Sequence, residues 1–226
     1  MKTYAIIPSG GESKRFGGNM PKQYLQVNDK EIIVHTLEIF QNCNLVDEII
    51  IAARKNYFNL INELKVKYKI NKLTKLIEGG ATRQESVANA LFSINNIEDN
   101  DLIAVHDAAR PLLSKKILID SINSAKIFDS IVVAINAKDT LLKGNDFVEN
   151  YVDRKNIWYA QTPQVFKYHI INHSMKKAIN EKFIGTDESM LVNRAGYKVK
   201  FVRGEATNFK ITTLDDFNLF KSLTQK

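Results

Sequence analysis

The stretch Thr3-Tyr-Ala-Ile-Ile-Pro8, followed at once by Ser9-Gly-Gly-Glu-Ser-Lys-Arg-Phe-Gly-Gly18, decides the architecture. Residues 3–8 form a short apolar run of strand length, and the glycine-rich segment behind them ends it. A strand with no polar face is buried on both sides, which is the habit of a parallel sheet covered by helices. A glycine-rich turn after such a strand can bring bare backbone N–H groups against anionic oxygens, so the same stretch predicts a phosphate site.

Outward from this strand the chain alternates. Residues 31–40 carry apolar side chains at 32, 33, 36, 37 and 40, a helical spacing, and residues 47–53 read as a second buried strand. A lysine-faced helix over 55–68 precedes a third strand, 73–80, that ends in Gly79-Gly80. A helix over 83–94 leads to a fourth strand, 101–107, and Ser114 is placed to cap a helix over 115–128 before a fifth strand at 130–135. The pattern predicts an α/β fold: a Rossmann-like, mostly parallel sheet flanked by helices. Ligands of such sheets lie beyond the carboxyl ends of the strands, so the loops after 3–8, 73–78, 101–105 and 130–135 are expected to carry the chemistry.

No repeat or linker divides the chain, which reads as a single domain over 1–226. Residues 138–161 break the rhythm. Their short apolar patches flank a Lys143-Gly-Asn-Asp146 turn signal, which predicts a protruding β-hairpin arm. Its Phe147, Val148, Tyr151, Val152, Trp158 and Tyr159 are too many apolar groups for a solitary hairpin in water, so the arm is expected to make a homodimer.

Composition sets the outer limits. With 226 residues, 44% of them hydrophobic, the chain can bury a core without disulfides. The lone Cys43 excludes a disulfide framework and multi-cysteine metal sites, and its place at the end of an apolar run makes it core filler. The first apolar run is too short for a signal peptide, and none approaches the ~18 residues of a membrane span; a cytoplasmic protein with no membrane partner is expected. The net charge is +7, but the 25 lysines are scattered and not interleaved with aromatics, which argues against a nucleic-acid partner. The seven arginines are scarcer and more telling: Arg15, Arg83, Arg110 and Arg154 fall in unusual segments.

The glycine-rich loop is neither of two familiar kinds. It lacks G-x-G-x-x-G, and the second strand ends in Ala52-Ala53-Arg54 with no acid for a ribose; no Gly-Lys-Ser/Thr follows at Walker spacing. What remains is Gly10-Gly11, Lys14-Arg15 and Pro21-Lys22-Gln23, with Arg15 and Lys22 able to set two cations around a polyphosphate. Asp107, at a strand terminus, can serve a ribose, sugar hydroxyls or Mg²⁺-bound water, or can act as a helix cap. His106 beside it is expected to pack or hydrogen-bond rather than act as a base.

The loop resembles that of the sugar-phosphate nucleotidylyltransferases. Later blocks narrow the resemblance to the 2-C-methyl-D-erythritol 4-phosphate cytidylyltransferases of non-mevalonate isoprenoid synthesis. These blocks are Glu78-Gly-Gly-Ala-Thr-Arg-Gln-Glu-Ser-Val87, Val105-His-Asp-Ala-Ala-Arg-Pro111, Val152-Asp-Arg154, Gln161-Thr-Pro-Gln-Val-Phe166, Gly185-Thr-Asp-Glu-Ser189 and Asn208-Phe-Lys-Ile-Thr-Thr213. The chain departs from the family's usual residues at Ser9-Gly10-Gly11, Ser13 and Ala81, which bears on base recognition. The resemblance implies a transferase that joins CTP to the polyol phosphate and releases pyrophosphate. The alternatives are a ribitol 5-phosphate cytidylyltransferase and a non-catalytic nucleotide-binding protein.

The resemblance also implies roles. Arg15 and Lys22 stabilise the transition state, and Lys210 contacts the α-phosphate and orients the attacking phosphate. Gly80 and Ser86 help read the base, with Arg83 supporting their loop, while Ser9, Gly10, Gly11 and Asp107 complete the nucleotide site. Carbonyls of residues 9–11 are candidates to accept from the cytosine amino group. Thr162, Thr186, Asp107, Lys210 and Arg154 serve the sugar phosphate, Arg154 by reaching into a neighbouring subunit. Arg110 either holds that side or supports its loop. Mg²⁺ is expected as cofactor, held mainly by the CTP phosphates with Asp107 as a possible ligand.

Overall fold

The computed structural model describes residues 1–11, 16 and 20–225. Its strands are β1 (Thr3–Pro8), β2 (Gln26–Val27), β3 (Lys30–Glu31), β4 (Glu48–Ala53), β5 (Leu73–Glu78), β6 (Leu102–Val105), β7 (Ser130–Asn136), β8 (Leu141–Gly144), β9 (Val148–Val152), β10 (Trp158–Lys167) and β11 (Lys200–Arg203). Its α-helices are α1 (Ile32–Gln41), α2 (Phe58–Lys67), α3 (Arg83–Phe92), α4 (Lys115–Phe128), α5 (Tyr168–Asn180), α6 (Glu188–Arg194) and α7 (Leu214–Thr224). None of these helices is long and apolar enough to cross a membrane.

The main sheet has seven strands in the order β11-β7-β10-β6-β1-β4-β5. All neighbours run parallel except β10, which is antiparallel to both β6 and β7. Each central strand is apolar on both faces because each face meets its own core. Ala5 and Ile7 join one cluster with Ile33, Leu37, Ile61, Leu64, Leu118 and Ile122, so α1, α2 and α4 cover that side. Tyr4 and Ile6 join the other with Val87, Leu91, Ile170, Met175 and Leu191, so α3, α5 and α6 cover the opposite side. Cys43 is fully buried in the first cluster.

Two findings modify the sequence reading. The arm is shorter than 138–161: its hairpin pairs β8 with β9, whereas Trp158–Gln161 belong to β10 in the main sheet. The turn requires Gly144, since a Cβ there would meet the Phe147 carbonyl oxygen at 2.0 Å. In addition, β7 feeds the arm, and no residue of the loop behind it lines either of the two clefts described below.

The topology places the site. From β1 the chain winds through β4 to β5, then returns to lay β6 on the other side of β1. That reversal leaves a crevice at the carboxyl ends of β1 and β6, where an open α/β sheet receives its ligand.

Candidate active site

A cleft of about 600 Å³ opens at the crevice. Its wall includes Ser9, Gly10 and Gly11 after β1, Arg54 after β4, Gly80–Arg83 and Ser86 at the start of α3, Asp107 after β6, and Lys22 and Lys210 from more distant segments. A second cavity of about 190 Å³ adjoins it, lined by Arg110, Gln161, Thr162, Gln164, Thr186 and Asp187, and it shares Arg83, Asp107 and Lys210 with the first.

The first cleft is held open by the hydrogen bonds of its loops. Ser9 N–H donates to the Ala52 carbonyl at 2.7 Å, which ties the glycine-rich turn to β4. Gln23 Nε2 donates to the carbonyls of Ser9 (2.8 Å) and Gly11 (3.3 Å), and Arg54 Nε donates to that of Gly10 (3.2 Å). The three carbonyls proposed to read a base amino group are thus oriented by side chains, that of Ser9 also lying 3.5 Å from the Tyr24 hydroxyl. Opposite them, Ser86 Oγ accepts from Gly80 N–H at 3.1 Å and donates to the Thr82 carbonyl at 2.9 Å. Gly80 cannot be larger, because a Cβ would lie 2.2 Å from that of Glu85. Thr82 and Glu85 form a capping box on α3.

Asp107 is the hub between the cavities. Its Oδ1 accepts from Arg83 Nε at 3.2 Å; its Oδ2 accepts from Arg110 Nε at 3.2 Å and lies 3.2 Å from Lys210 Nζ. Burial alone would raise its pKa, but Lys210, Arg83 and Arg110 outweigh that and hold the carboxyl well below the usual carboxylate range. Arg83 reaches on to Glu188, contacting both carboxylate oxygens at 2.7 and 2.9 Å.

A buried relay supports the hub from behind. Asp107 N–H donates to Thr162 Oγ1 at 3.1 Å, which lies 3.0 Å from His106 Nδ1, while His106 Nε2 is 3.2 Å from the Arg110 carbonyl. A carbonyl can only accept, so Nε2 carries the proton and Nδ1 accepts from Thr162. Burial pushes the His106 pKa down to about 4, so the ring is neutral at pH 7. The packing role expected of it fits its position, fully buried against Phe40. Asn208, also buried, donates to the Thr162 carbonyl at 2.8 Å, its own carbonyl accepts from Arg110, and Ile211 N–H donates to the Ala109 carbonyl. These bonds fix the segment that carries Lys210.

Of the residues expected from sequence, Ser9, Gly10, Gly11, Lys22, Gly80, Ser86, Asp107 and Lys210 line the first cleft. Asp107, Arg110, Thr162, Thr186 and Lys210 line the second. Arg154 lines neither: it is exposed at the foot of the arm and donates to the Lys138 carbonyl. Arg15 lies outside the described residues. Sequence reasoning passed over Arg54 and Glu188. Arg54 directly follows a strand adjacent to β1, so the carboxyl-end rule could have found it; Glu188 acts through a partner more than a hundred residues away and leaves no local signal.

Comparison with known proteins places the chain in a family. The family model for 2-C-methyl-D-erythritol 4-phosphate cytidylyltransferase matches residues 3–225. The proteins of that name from Syntrophus aciditrophicus and Clostridium perfringens are 36% and 38% identical, over 100% and 96% of this chain and 97% and 96% of their own. Among solved structures, 4-diphosphocytidyl-2C-methyl-D-erythritol synthase from Anaerococcus prevotii superposes with a TM-score of 0.86 at 27% identity, covering 100% of this chain and 96% of that one. The Thermus thermophilus cytidylyltransferase gives 0.82 at 29%, over 99% and 98%. The loop after β1, the Asp107 hub and the Lys210 segment lie within that shared length, and this chain belongs to the 2-C-methyl-D-erythritol 4-phosphate cytidylyltransferase family.

Proposed function

We propose that the chain catalyses attack of the phosphate of 2-C-methyl-D-erythritol 4-phosphate on the α-phosphorus of CTP, releasing pyrophosphate. The observation that carries this reading is the pair of adjoining cavities that share Arg83, Asp107 and Lys210. Two substrates meet there across one set of fixed charges. The nucleophile is already an anion, so the site needs no base, in keeping with the neutral, buried His106. Lys22, just after the glycine-rich loop, supports the leaving pyrophosphate together with Arg15, seven residues before it in sequence. Lys210, held against Asp107, stands where the cavities join and steers the attacking phosphate. Such positioning with charge stabilisation supplies most of the barrier reduction in this chemistry.

Among the described residues no group of three or more His, Cys, Asp or Glu could cage a metal, and Asp107 is the one carboxylate lining the first cleft. That donor set suits an ion brought in on the triphosphate. Magnesium bound there would gather phosphate oxygens and offset their charge. The hairpin supports the dimer reading: Leu142, Phe147, Val148 and Tyr151 are all more than half exposed. A second copy pairing there would cover them and bring Arg154 to the neighbour's second cavity.

The test is pyrophosphate release from CTP with Mg²⁺ and either polyol phosphate. Turnover with methylerythritol phosphate well above that with ribitol 5-phosphate is expected. Equal or greater turnover with ribitol 5-phosphate overturns the substrate, and none with either favours a binding-only protein.

A further inference from the structure

We propose that Glu188 is a positioning residue for the sugar-phosphate side of the site and that it acts through Arg83. The inference rests on the transferase reading above and adds to it a division of labour between the two cavities.

Arg83 begins α3, directly behind the base loop, and its side chain spans the boundary between the cavities. One edge of the guanidinium meets Asp107 at 3.2 Å and the other grips both oxygens of Glu188 at 2.7 and 2.9 Å. Glu188 is 1% exposed at the start of α6, two residues beyond Thr186, which lines the second cavity. Burying a carboxylate is costly, and surface residues would serve equally well to begin a helix. Here the burial places a fixed anion behind a cation that faces substrate. Burial raises the Glu188 pKa, and the two-point contact with Arg83 opposes it.

The two sides of the boundary depend on this pair unequally. The base loop supports itself through the Thr82–Glu85 capping box and the Ser86 bridge, all within eight residues. The 183–189 segment has a local cap, Asp187 Oδ1 accepting from Ser189 Oγ and Met190 N–H at 2.9 Å each, but that cap does not fasten it to the site. The segment hangs on side chains from elsewhere: Gln84 on Phe183 and Gly185, Gln164 on Asp187 and Ser189, and Arg83 on Glu188. Without the Glu188 charge, Arg83 becomes a loosely held cation beside an anionic substrate. It would then compete with Lys210 and Arg110 for the substrate phosphate, and the Thr186 wall would lose one of its three ties.

Steady-state kinetics of Glu188→Gln and Glu188→Asp in the full chain test this. Glu188→Gln should raise the KM for methylerythritol phosphate about tenfold or more while the KM for CTP stays within about threefold. Glu188→Asp, which keeps the charge, should recover much of the loss. Equal rises in both KM values, or no change in either, overturn the proposal. If Glu188→Gln fails to fold, Arg83→Gln and the double variant Arg83→Gln/Glu188→Gln decide instead. The pair should match in KM for the polyol phosphate, because Glu188 has no role once Arg83 is gone; a further rise in the double variant overturns the idea. If the wild-type chain itself shows no turnover, the transferase reading fails separately. Calorimetric binding of methylerythritol phosphate and of CTP to the same variants then decides on Glu188: weaker binding of the polyol phosphate alone is expected, and equal weakening of both overturns its role.

Discussion

At the cleft, backbone carbonyls, glycines and charges are oriented by partners within the same chain: Gln23 and Arg54 on the glycine-rich turn, Ser86 on Gly80, and three cations on Asp107. In the arm, β8 and β9 pair only with each other, and Phe147 at the tip is 86% exposed. A two-stranded ribbon with apolar groups in water is marginal on its own. The first cleft is therefore scaffolded within one chain, whereas the arm, on the dimer reading proposed above, would be half of a two-chain device. Each half of that statement can be broken by experiment.

The largest effect is expected inside the cleft. Lys22→Ala should lower kcat by about a hundredfold or more, on the scale of a lost transition-state donor worth roughly 3–4 kcal/mol, with an unchanged melting curve. A variant within about threefold of wild type would remove Lys22 from the reaction and leave the charge of the cleft to other cations.

The relay behind Asp107 is open to a test through pH. The folded state keeps His106 neutral down to about pH 4, whereas an unfolded histidine titrates near 6.5. Between those values the unfolded state binds more protons. The stability due to neutral His106 is therefore complete above about pH 6.5 and is lost as pH falls toward 4, by roughly 3 kcal/mol in all. His35, also lowered by burial, acts in the same direction. Glu188, raised by burial, opposes them as it gains its proton. Asp107, held low, loses its contribution only below the ordinary carboxylate range. Urea unfolding of His106→Gln from pH 7.5 to 4.5 should show a flatter decline than wild type. Parallel curves would mean that His106 is not the source of the slope.

The same contrast explains how far the sequence can be read. The strands β1, β4, β6 and β7 are legible because burial on both faces leaves unbroken apolar runs, and the Ser114 cap because its signal is local. Strand β10 reads in sequence only as a motif and the end of a hairpin. Pro163 sits in its middle, and proline normally demotes a strand to an edge. The structure places it inside the sheet at a register shift between Ala160 and Gln164, where a missing N–H costs no ladder bond. The site residues after strands are legible as types in places, and their pairings are not. Arg83 with Glu188, or Arg110 with Asn208, are matches about a hundred residues apart that follow from tertiary folding alone.

A third prediction concerns the proposed pairing of two chains through the arm. Lys22→Ala and Arg154→Ala chains should each be nearly inactive. After subunit exchange, half of a random mixture is mixed dimers, each with one intact site, so activity should return to about a quarter of wild type. If exchange is shown and activity stays at the parental level, Arg154 does not work across an interface, and the arm's exposed apolar face needs another account.

The smallest effect belongs to the cap beside the base loop. Thr82 Oγ1 accepts from Glu85 N–H at 3.1 Å, and Glu85 Oε2 accepts from the N–H groups of Thr82 (3.3 Å) and Ala81 (2.7 Å). Thr82→Ala removes the first bond and leaves the other two. Glu85 is exposed, so its N–H can turn to water, and the loss should be about 1 kcal/mol, read as a modest drop in melting temperature. The base loop should barely notice. Ser86 still accepts from Gly80 and still reaches the residue-82 carbonyl, which the substitution keeps, so the KM for CTP should rise by less than about threefold. The oligomeric state should not change, because Thr82 lies on the one-chain side of the molecule. A tenfold rise in that KM with only about 1 kcal/mol of lost stability would show that the cap, rather than Ser86, holds the loop against the nucleotide. The local self-sufficiency of the cleft would then rest on the half-buried Thr82 hydroxyl rather than on the buried one of Ser86.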